Sequence, residues 1–324
     1  MTPRIGAALA SGAIAWPAGR VALLRPPADI DADALPGPVL AVTGFRPDHD
    51  ALAGRGVPVA RRMEGAFAGA VVFAGRAKAV TLDLIAQAVA ALPPGAPVIV
   101  DGDRGDGIDS VVRLCRAAFD VGEVAAKAHG KCFAFPAAPA PEGWAAVPLV
   151  VDGFVTRPGA FSADGIDPGS ALLAGHLRGL AGRVCDLGAG WGALGRAVLA
   201  SDAVTALACV EAAADALDCA RENLSDPRAT FHWADAATWE GGPFDVVVTN
   251  PPFHAGRRAD PDLGRAFLRT AARILTPRGR LLMVANRQLP YEATLSELFA
   301  RSVALEDAGG YKVIEARSPK RRRP

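Results

Sequence analysis

The sequence lacks the paired cysteines that structural zinc sites and disulfide frameworks require. Its five cysteines occur singly, without a C-x-x-C pair and without histidines at zinc-finger spacing. We therefore expect neither a metal site nor disulfides, and a reducing, cytoplasmic location fits this usage. Cys185 and Cys209 lie inside apolar, strand-like runs, which predicts buried thiols.

Strong net charge and long apolar runs are also missing. The chain carries a formal net charge of +1 at pH 7, so contacts with nucleic acid have to come from local patches. No run is long and apolar enough to cross a membrane, and we expect no membrane partner. The N-terminus faintly imitates a secretion signal, but Ile5 and Leu9 are its only large aliphatic residues before Ala13. We predict a helix of the mature protein there.

The length of 324 residues and a Pro/Ala-rich segment from Phe133 to Trp144 indicate two domains, residues 1–141 and 142–324. In the second domain, short β-rich runs alternate with helical stretches, such as the helix predicted from Leu263 to Leu275. The β-rich runs are RVCDLG, TALACVE, ATFHWAD, FDVVVTN and GRLLMVAN. This alternation predicts an α/β fold, in which a parallel sheet carries helices on both faces.

The first half of the chain repeats the pattern of the second half. Residues Gly69 to Arg104 give a strand, a loop, a helix, a Pro-Gly turn and a strand, as does the stretch that begins with FDVVVTNPPF. The halves differ at two places: ALLRPPAD stands where the second half has CDLGAGWGALG, and FAGRA stands where it has TNPPF. We infer that the N-terminal copy keeps the fold and has lost the chemistry.

A glycine-rich turn follows the first strand of the second domain. Gly188, Gly190 and Gly192 allow a ligand to approach the backbone closely, and Gly190-x-Gly192-x-x-Gly195 also matches the fingerprint of dinucleotide-binding sites. Asp186 argues against a dinucleotide, because a carboxylate before the glycines would stand close to the pyrophosphate. It suits S-adenosylmethionine, which has a cationic amino-acid end and no phosphate.

Acidic residues also end the next two strands. Glu211 follows LACV, where a carboxylate accepts from both ribose hydroxyls of either cofactor. Asp235 is placed to accept from an adenine amino group, with Trp233 or Ala236 against the ring, although a solvated loop aspartate gives the same sequence pattern. Three acidic strand ends at the carboxyl edge of an open α/β sheet together favour a ligand site there.

The fourth strand ends in Asn-Pro-Pro-Phe, a tetrapeptide that cannot extend a sheet ladder. The Asn250 side-chain carbonyl and the Pro251 backbone carbonyl can each accept a hydrogen from a planar exocyclic amine. Pro251 and Pro252 hold these oxygens in place, and Phe253 offers a face on which a flipped base can stack. This scheme requires neither a metal nor a strong general base.

These motifs resemble the ribosomal RNA guanine-N2 methyltransferases of the RsmC/RlmG type. The resemblance covers the second half through DLGAG, NPPFHAG, RPGAFSADGIDPGSALL, GRLLMVANRQLPYE and GGYKVIEA. It extends more weakly to AKAVTLDLIAQAVAALPPG, GDRGDGIDS and KAHGKCFAF in the first half. It implies two tandem Rossmann-like class I methyltransferase domains, of which the N-terminal one is degenerate and positions RNA or gives structural support.

The resemblance also implies substrates and site residues. The donor is S-adenosylmethionine, and the acceptor is N2 of a guanosine in ribosomal RNA or a ribosomal subunit, with the small subunit favoured; the expected state is a monomer. The base-facing residues are Asn250, Pro251, Pro252 and Phe253. The cofactor-facing residues are Phe161, Asp186, Gly188, Ala189, Gly190, Glu211, Asp235, Ala236 and Asn250, and the loop from Phe161 to Ser170 covers the cofactor. Trp191 in the glycine turn departs from the family pattern.

Two other functions remain open. One is methyl transfer to adenine N6 or to a glutamine amide, although those families usually carry Tyr after Asn-Pro-Pro. The other is a non-catalytic RNA-binding factor in ribosome assembly. Two basic segments could either contact RNA or form a solvated surface. They are the Lys127–Lys131 region with Arg104 and the tail from Lys320 to Arg323. Asp164 and Asp167 could either serve the function or only stabilise a turn.

Overall fold

The computed structural model describes residues 1–252, 254–255, 258–259 and 261–320. The chain divides into two compact units, Met1–Val147 and Pro148–Pro324. Each unit is built on one seven-stranded sheet. Among the described residues, no helix combines the length and apolarity that crossing a bilayer requires.

The first unit begins with the helix predicted at the N-terminus. Thr2 caps this helix by accepting a hydrogen bond from the Ile5 N–H over 3.2 Å, and a proline occupies its first position. The elements of the unit are α1 (Pro3–Ala10), β1 (Val21–Leu24), β2 (Val39–Val42), α2 (Arg46–Gly54), β3 (Val59–Ala60), β4 (Gly69–Phe73), α3 (Lys78–Ala91), β5 (Pro97–Asp103), a 3₁₀ turn (Arg104–Asp106), α4 (Ile108–Ala118), β6 (Ala125–Lys127) and β7 (Gly130–Pro136).

The second unit opens with a short hairpin and then alternates strands with helices. Its elements are β8 (Leu149–Val151), β9 (Phe154–Thr156), α5 (Pro168–Ala174), β10 (Gly182–Leu187), α6 (Ala193–Leu199), β11 (Val204–Glu211), α7 (Ala214–Asn223), β12 (Ala229–Trp233), β13 (Phe244–Thr249), β14 (His254–Ala255), β15 (Arg258–Ala259), α8 (Pro261–Ile274), β16 (Leu275–Asn286), α9 (Glu292–Leu298), β17 (Phe299–Ala308) and β18 (Tyr311–Pro319).

The two sheets have the same strand order. In the first unit it is β3-β2-β1-β4-β5-β7-β6, and in the second it is β12-β11-β10-β13-β16-β18-β17. The first five strands of each order run parallel, and the last two pair antiparallel. The predicted fold, two tandem Rossmann-like α/β domains, is confirmed.

Both sheets are covered by apolar side chains on their two faces. Successive side chains of a strand point to opposite sides, so one strand contributes to two apolar clusters. In β1, Ala22 and Leu24 belong to one apolar cluster, whereas Val21 and Leu23 belong to another. Cys185 and Cys209 are fully buried in the second unit, as their apolar context predicts. Parallel strands that are buried on both faces explain the nearly continuous apolar runs in the sequence.

The segment from Phe133 to Trp144 is built into the first unit. Phe133 and Phe135 lie in β7 with their rings in the core, and the Trp144 ring packs edge-on against Phe119 at a centroid distance of 5.6 Å. The compact units therefore divide between residues 147 and 148, whereas the sequence places the boundary near residue 141. The prolines of this segment therefore follow a strand and belong to a stretch that packs on the apolar core of the first unit, and they do not mark a free linker.

Candidate active site

The polar residues predicted at the strand ends lie along one edge of the second sheet. The neighbouring strands β12, β11, β10 and β13 run parallel, so their carboxyl ends meet at the same edge. Along this edge stand Asp235, Glu211, Asp186 and Asn250, in that order. An open α/β sheet binds ligands at such an edge.

Asp186 is a fully buried carboxyl at the end of β10. Neither of its oxygens has a hydrogen-bond partner among the described residues. Burial, and then the charge of Glu211, raise the pKa of Asp186 to about 7, while the nearby Gly195 N–H opposes the rise. A buried carboxyl without a partner is costly to ionise, so the site favours a cationic ligand that would complete it.

The glycine turn places backbone, rather than side chains, beside Asp186. Gly188 and Gly190 both have positive φ, at 82° and 55°. A Cβ on Gly188 would lie 2.9 Å from the Phe267 ring, so this glycine is needed for packing. A Cβ on Gly190 would meet no atom of the described residues within 4 Å, so this glycine borders open space.

Glu211 joins the turn to the next strand. Its Oε2 accepts from the Gly190 N–H over 2.8 Å, and its Oε1 accepts from the Ala213 N–H over 2.7 Å. Burial raises the pKa of Glu211, and these backbone donors work against that rise. Each carboxylate oxygen can accept more than one hydrogen bond, so both oxygens retain capacity for a pair of ligand hydroxyls.

The predicted covering loop is tied to the glycine turn by the residue that departs from the family pattern. The Trp191 indole Nε1–H donates to the Phe161 carbonyl over 2.9 Å, and its buried ring packs on Phe154 at a centroid distance of 4.8 Å. Asn223 donates to the carbonyls of both Trp191 and Val155, each over 2.8 Å. Trp191 therefore holds the loop backbone over the turn, while the Phe161 ring itself is exposed.

Asn250 follows β13 directly, and its backbone is held by its neighbour. The buried Thr249 hydroxyl donates to the Leu187 carbonyl over 2.6 Å, which ties the end of β13 to the end of β10. Asn250, Gly188, Ala189, Gly190 and Phe161 line one pocket. Five residues predicted from distant parts of the sequence are thus brought together.

Residues 152–315 match the methyltransferase small domain family. The ribosomal RNA small subunit methyltransferase C of Idiomarina loihiensis is 31% identical to the chain, and the alignment covers 71% of this chain and 73% of that protein. The enzyme of the same name from Klebsiella pneumoniae is 30% identical over 68% of this chain and 67% of its own. The chain belongs to the RsmC-type group of the methyltransferase small domain family.

A solved structure agrees with this membership over nearly the whole methyltransferase. It is the T. thermophilus 16S rRNA N2 methyltransferase RsmC in complex with S-adenosylmethionine and guanosine, with a TM-score of 0.77 and 26% sequence identity. The match covers 98% of this chain and 92% of the T. thermophilus chain, so both units take part. The family and the enzyme class predicted from the sequence are confirmed.

The third acidic residue of the methyltransferase is already engaged by its own loop. The Asp235 carboxylate accepts from the Ala237 N–H over 2.8 Å, and the Trp233 indole donates to the Ala212 carbonyl over 2.8 Å. Ala236 is buried in the core. None of these residues lines the pocket that contains Asn250 and the glycine turn. Their contact with adenine therefore stays a prediction.

The structure describes two further residues of the Asn-Pro-Pro-Phe stretch, Pro251 and Pro252. Pro251 is buried and Pro252 is exposed, whereas Phe253 lies outside the described residues. The backbone of His254 pairs with Ala259 in a two-stranded ladder just after the motif. The roles predicted for Pro251, Pro252 and Phe253 stay predictions.

Asp167 and Ser170 lie in the loop that the resemblance places over the cofactor, but the sequence did not predict that either would contact Asn250. Both line the pocket of the methyltransferase, and both accept hydrogen bonds from the Asn250 side-chain amide. Asp167 also caps helix α5, which is the turn role that its sequence context suggests. The Asp-Pro-Gly-Ser pattern signals a helix start, and only the fold shows that this helix start reaches a strand end 80 residues later.

The two basic segments, for which the sequence left an RNA contact and a solvated surface open, make ion pairs and hydrogen bonds of their own. On the first unit, Lys131 pairs with Asp109 at 2.6 Å, and Arg104 lies 3.8 Å from the same carboxylate. In the tail, Lys320 donates to the Ser296 carbonyl, and residues 321–324 lie outside the described residues. The described part of the chain contains no group of three or more His, Cys, Asp or Glu residues arranged to hold a metal ion.

Proposed function

We propose that this methyltransferase transfers a methyl group from S-adenosylmethionine to the exocyclic N2 amine of a guanosine in 16S ribosomal RNA. The observation that carries the proposal is the position of Asn250, an amide at a strand end that lines one pocket with the glycine turn. Relatives at 30–31% identity are named for methylation of small-subunit ribosomal RNA. The T. thermophilus relative was solved with S-adenosylmethionine and guanosine.

The strand ends beside the glycine turn carry the acceptors that S-adenosylmethionine needs. Asp186 offers a buried, unpartnered carboxyl to the cationic amino-acid end, and Glu211 offers two oxygens to the ribose hydroxyls. The open space beside Gly190 admits the ligand against the backbone. We assign Asp235 to the adenine amino group, with Trp233 or Ala236 near the ring.

The acceptor end uses Asn250 and Pro251 to prepare a weak nucleophile. The lone pair of a guanine N2 amine is delocalised into the ring, and two carbonyl acceptors orient its hydrogens and favour a pyramidal nitrogen. When bound, S-adenosylmethionine supplies a methyl group on a cationic sulfur, and its transfer leaves S-adenosylhomocysteine, N2-methylguanosine and one proton. Amide carbonyls are too weakly basic to keep that proton, so it passes to solvent.

The first unit has a supporting role in this proposal. Its β1 is followed by Arg-Pro-Pro, and its β4 is followed by Ala-Gly-Arg, where the second unit has Asp186 with the glycine turn and Asn250. We assign residues 1–141, the predicted first domain, to RNA positioning or structural support and residues 142–324 to catalysis. We further propose that the enzyme acts as a monomer in the cytoplasm.

Methyl transfer from labelled S-adenosylmethionine tests the proposal. Free ribosomal RNA and small subunits are incubated with the full chain, and the RNA is digested to nucleosides. The expected product is N2-methylguanosine. Label in N6-methyladenosine, or in the glutamine of a ribosomal protein, would replace the substrate and leave the fold and the donor in place. Absence of label from both RNA and protein, with intact cofactor binding, would refute the proposed function.

A further inference from the structure

The side-chain amide of Asn250 is held by two acceptors on one short stretch of chain. Its Nδ2 donates to Asp167 Oδ2 over 2.9 Å and to Ser170 Oγ over 2.9 Å. Both amide hydrogens are thereby used. No hydrogen bond among the described residues engages the amide oxygen, Oδ1. That oxygen is the group that the proposed function needs to face the acceptor amine.

The chemistry of Asp167 determines which way the amide points. An ionised carboxylate is an acceptor only, so it can face the NH₂ end of an amide but not its oxygen. A flipped Asn250 would place Oδ1 against Asp167 Oδ2 and would lose its hydrogen bond to that carboxylate. The orientation therefore follows from the partners, and does not depend on distinguishing nitrogen from oxygen by position alone.

The two acceptors are themselves fixed. Asp167 Oδ2 also accepts from the Ser170 N–H over 2.8 Å, which caps α5. Ser170 is 8% exposed, and the next turn of α5 places Leu173 in the core. Gly169 packs against the Tyr311 ring, so closely that a Cβ there would lie 2.8 Å from it. Asn250 is thus clamped to a helix end that the core holds in place.

From this geometry we infer that Asp167 and Ser170 are positioning residues for methyl transfer: they orient the Asn250 amide so that Oδ1 accepts from the nucleophilic amine. The inference rests on the proposed function for the identity of that amine. It assigns these residues no contact with the reacting atoms. Its consequence is that the loop predicted to cover the cofactor also sets the geometry at the acceptor side.

Two substitutions at residue 167 separate the amide contact from helix capping. Asn and Ser are both good helix caps, close to Asp in preference, so either keeps the start of α5. Asp167→Asn retains an acceptor oxygen at the same reach, whereas Asp167→Ser has a side chain too short to cap the helix and reach Asn250 together. We expect Asp167→Asn to keep the single-turnover rate within about fivefold and Asp167→Ser to lower it about 10- to 100-fold.

Ser170→Ala removes the second acceptor and leaves a good helix former. We expect a loss of about tenfold in the single-turnover rate, with the dissociation constant for S-adenosylmethionine changed less than about threefold. In an Asn250→Ala background, Asp167→Ser should lower the rate no further, because the group that it orients is gone. Asp215→Asn, an exposed carboxylate change on α7, is the matched control and should leave the rate unchanged.

A measurement that needs no turnover separates this inference from the proposed function. The chain contains three asparagines, Asn223, Asn250 and Asn286, so side-chain ¹⁵N labelling of asparagine gives three assignable amides in wild type and in Asp167→Ser, and a fourth, at residue 167, in Asp167→Asn. The two Nδ2 hydrogens of Asn250 should be protected from exchange in wild type and in Asp167→Asn. They should exchange much faster in Asp167→Ser, with Asn223 unchanged as the internal control.

Each outcome decides one of the two claims. Equal rates for Asp167→Ser and Asp167→Asn, or losses that multiply in the Asn250→Ala background, would overturn the positioning role, as would unprotected Asn250 hydrogens in wild type. A wild-type enzyme that methylates no guanosine, but shows the exchange pattern above, would refute the proposed substrate and leave the clamp on Asn250 established.

Discussion

Asp186 and Glu211 are carboxyl groups at the ends of two neighbouring strands, and burial, followed by the charge of Glu211, raises the pKa of Asp186. The two differ in their partners. Glu211 accepts two backbone hydrogen bonds, whereas Asp186 has no hydrogen-bond partner among the described residues. The pair leaves one buried acidic group that a cationic ligand can neutralise, so proton binding at Asp186 and cofactor binding compete.

We predict that affinity for S-adenosylmethionine rises with pH across the pKa of Asp186, which is about 7. Below that pH the carboxyl is neutral and does not attract the ligand ammonium; above it the carboxylate does. The ordinary pKa of an α-amino group is about 7.7–8.0, so the measurement belongs between about pH 6 and pH 7.5. Calorimetric titration should show a dissociation constant that falls by several-fold over this range.

Asp186→Asn is the control for this prediction. The amide has the same size and carries no charge, so the variant should bind more weakly at pH 7.5 and show a nearly flat profile. A wild-type dissociation constant that is independent of pH would contradict the assigned role of Asp186.

The same residue predicts a pH-dependent cost to the cofactor-free protein. The pKa of Asp186 is raised from 3.8 to about 7, so its neutral form is favoured in the folded state. The stability it contributes is present below about pH 4 and is lost as pH rises toward 7; the cost of ionising it is of order 4 kcal/mol. Thermal unfolding should show Asp186→Asn with a higher Tm than wild type at pH 8 and a similar Tm at pH 4. A lower Tm for the variant at both values would be the opposite result.

Two glycines in the turn should respond differently to alanine. Both have positive φ, which costs an alanine about 1–2 kcal/mol, but only Gly188 would also push a Cβ against Phe267. We predict that Gly188→Ala lowers the Tm by several degrees more than Gly190→Ala. Gly190→Ala should still lower cofactor affinity by at least about tenfold, because its methyl group enters the space left for the ligand. Wild-type affinity in Gly190→Ala would move the ligand away from this turn.

Asn250→Ala should abolish most of the methyl transfer and spare cofactor binding. The amide faces the acceptor more than the donor, so we expect the single-turnover rate to fall about 100- to 1,000-fold, as when one preorganised hydrogen-bonding group is removed from an active site. Rapid-quench kinetics and calorimetry measure the two effects separately. Loss of affinity by the same factor as the rate would show that Asn250 serves the cofactor instead.

The full chain should bind one S-adenosylmethionine, in the second unit. The first unit has no counterpart of Asp186, Gly190 or Asn250 at the ends of its β1 and β4. Equilibrium dialysis with labelled cofactor should give one site per chain, and Gly190→Ala should weaken that site. A second site that persists in the variant would show that the N-terminal copy has kept a cofactor pocket.

The sequence was sufficient to predict the fold because the same order of strands and helices occurs in both halves of the chain. Apolar strands buried on both faces, alternating with helices, predicted the parallel part of each sheet, and the strand ends followed from Asp186, Glu211 and Asn250. The domain edge was harder to locate. Phe133, Phe135 and Trp144 pack into the first unit. A Pro/Ala-rich composition alone cannot distinguish a segment that packs on the core from a linker between domains.

The clamp on Asn250 could not be found from sequence order alone. The resemblance places Asp167 and Ser170 in the loop over the cofactor, and Asp167 also fits a turn, but neither observation predicts a contact with Asn250. Their hydrogen bonds to Asn250 span about 80 positions and arise only when α5 packs beside the end of β13. Trp191 is similar: its bond to the Phe161 carbonyl depends on where the covering loop lies, which local pattern does not specify.

The most direct test of the account is to locate the methyl group in 16S ribosomal RNA. Small subunits that lack the modification are treated with wild type or Asn250→Ala and S-adenosylmethionine, and nuclease fragments are analysed by mass spectrometry. The account predicts N2-methylguanosine in a single fragment, with wild type only. An unmodified 16S RNA, or a methyl group on any atom other than guanine N2, would contradict it.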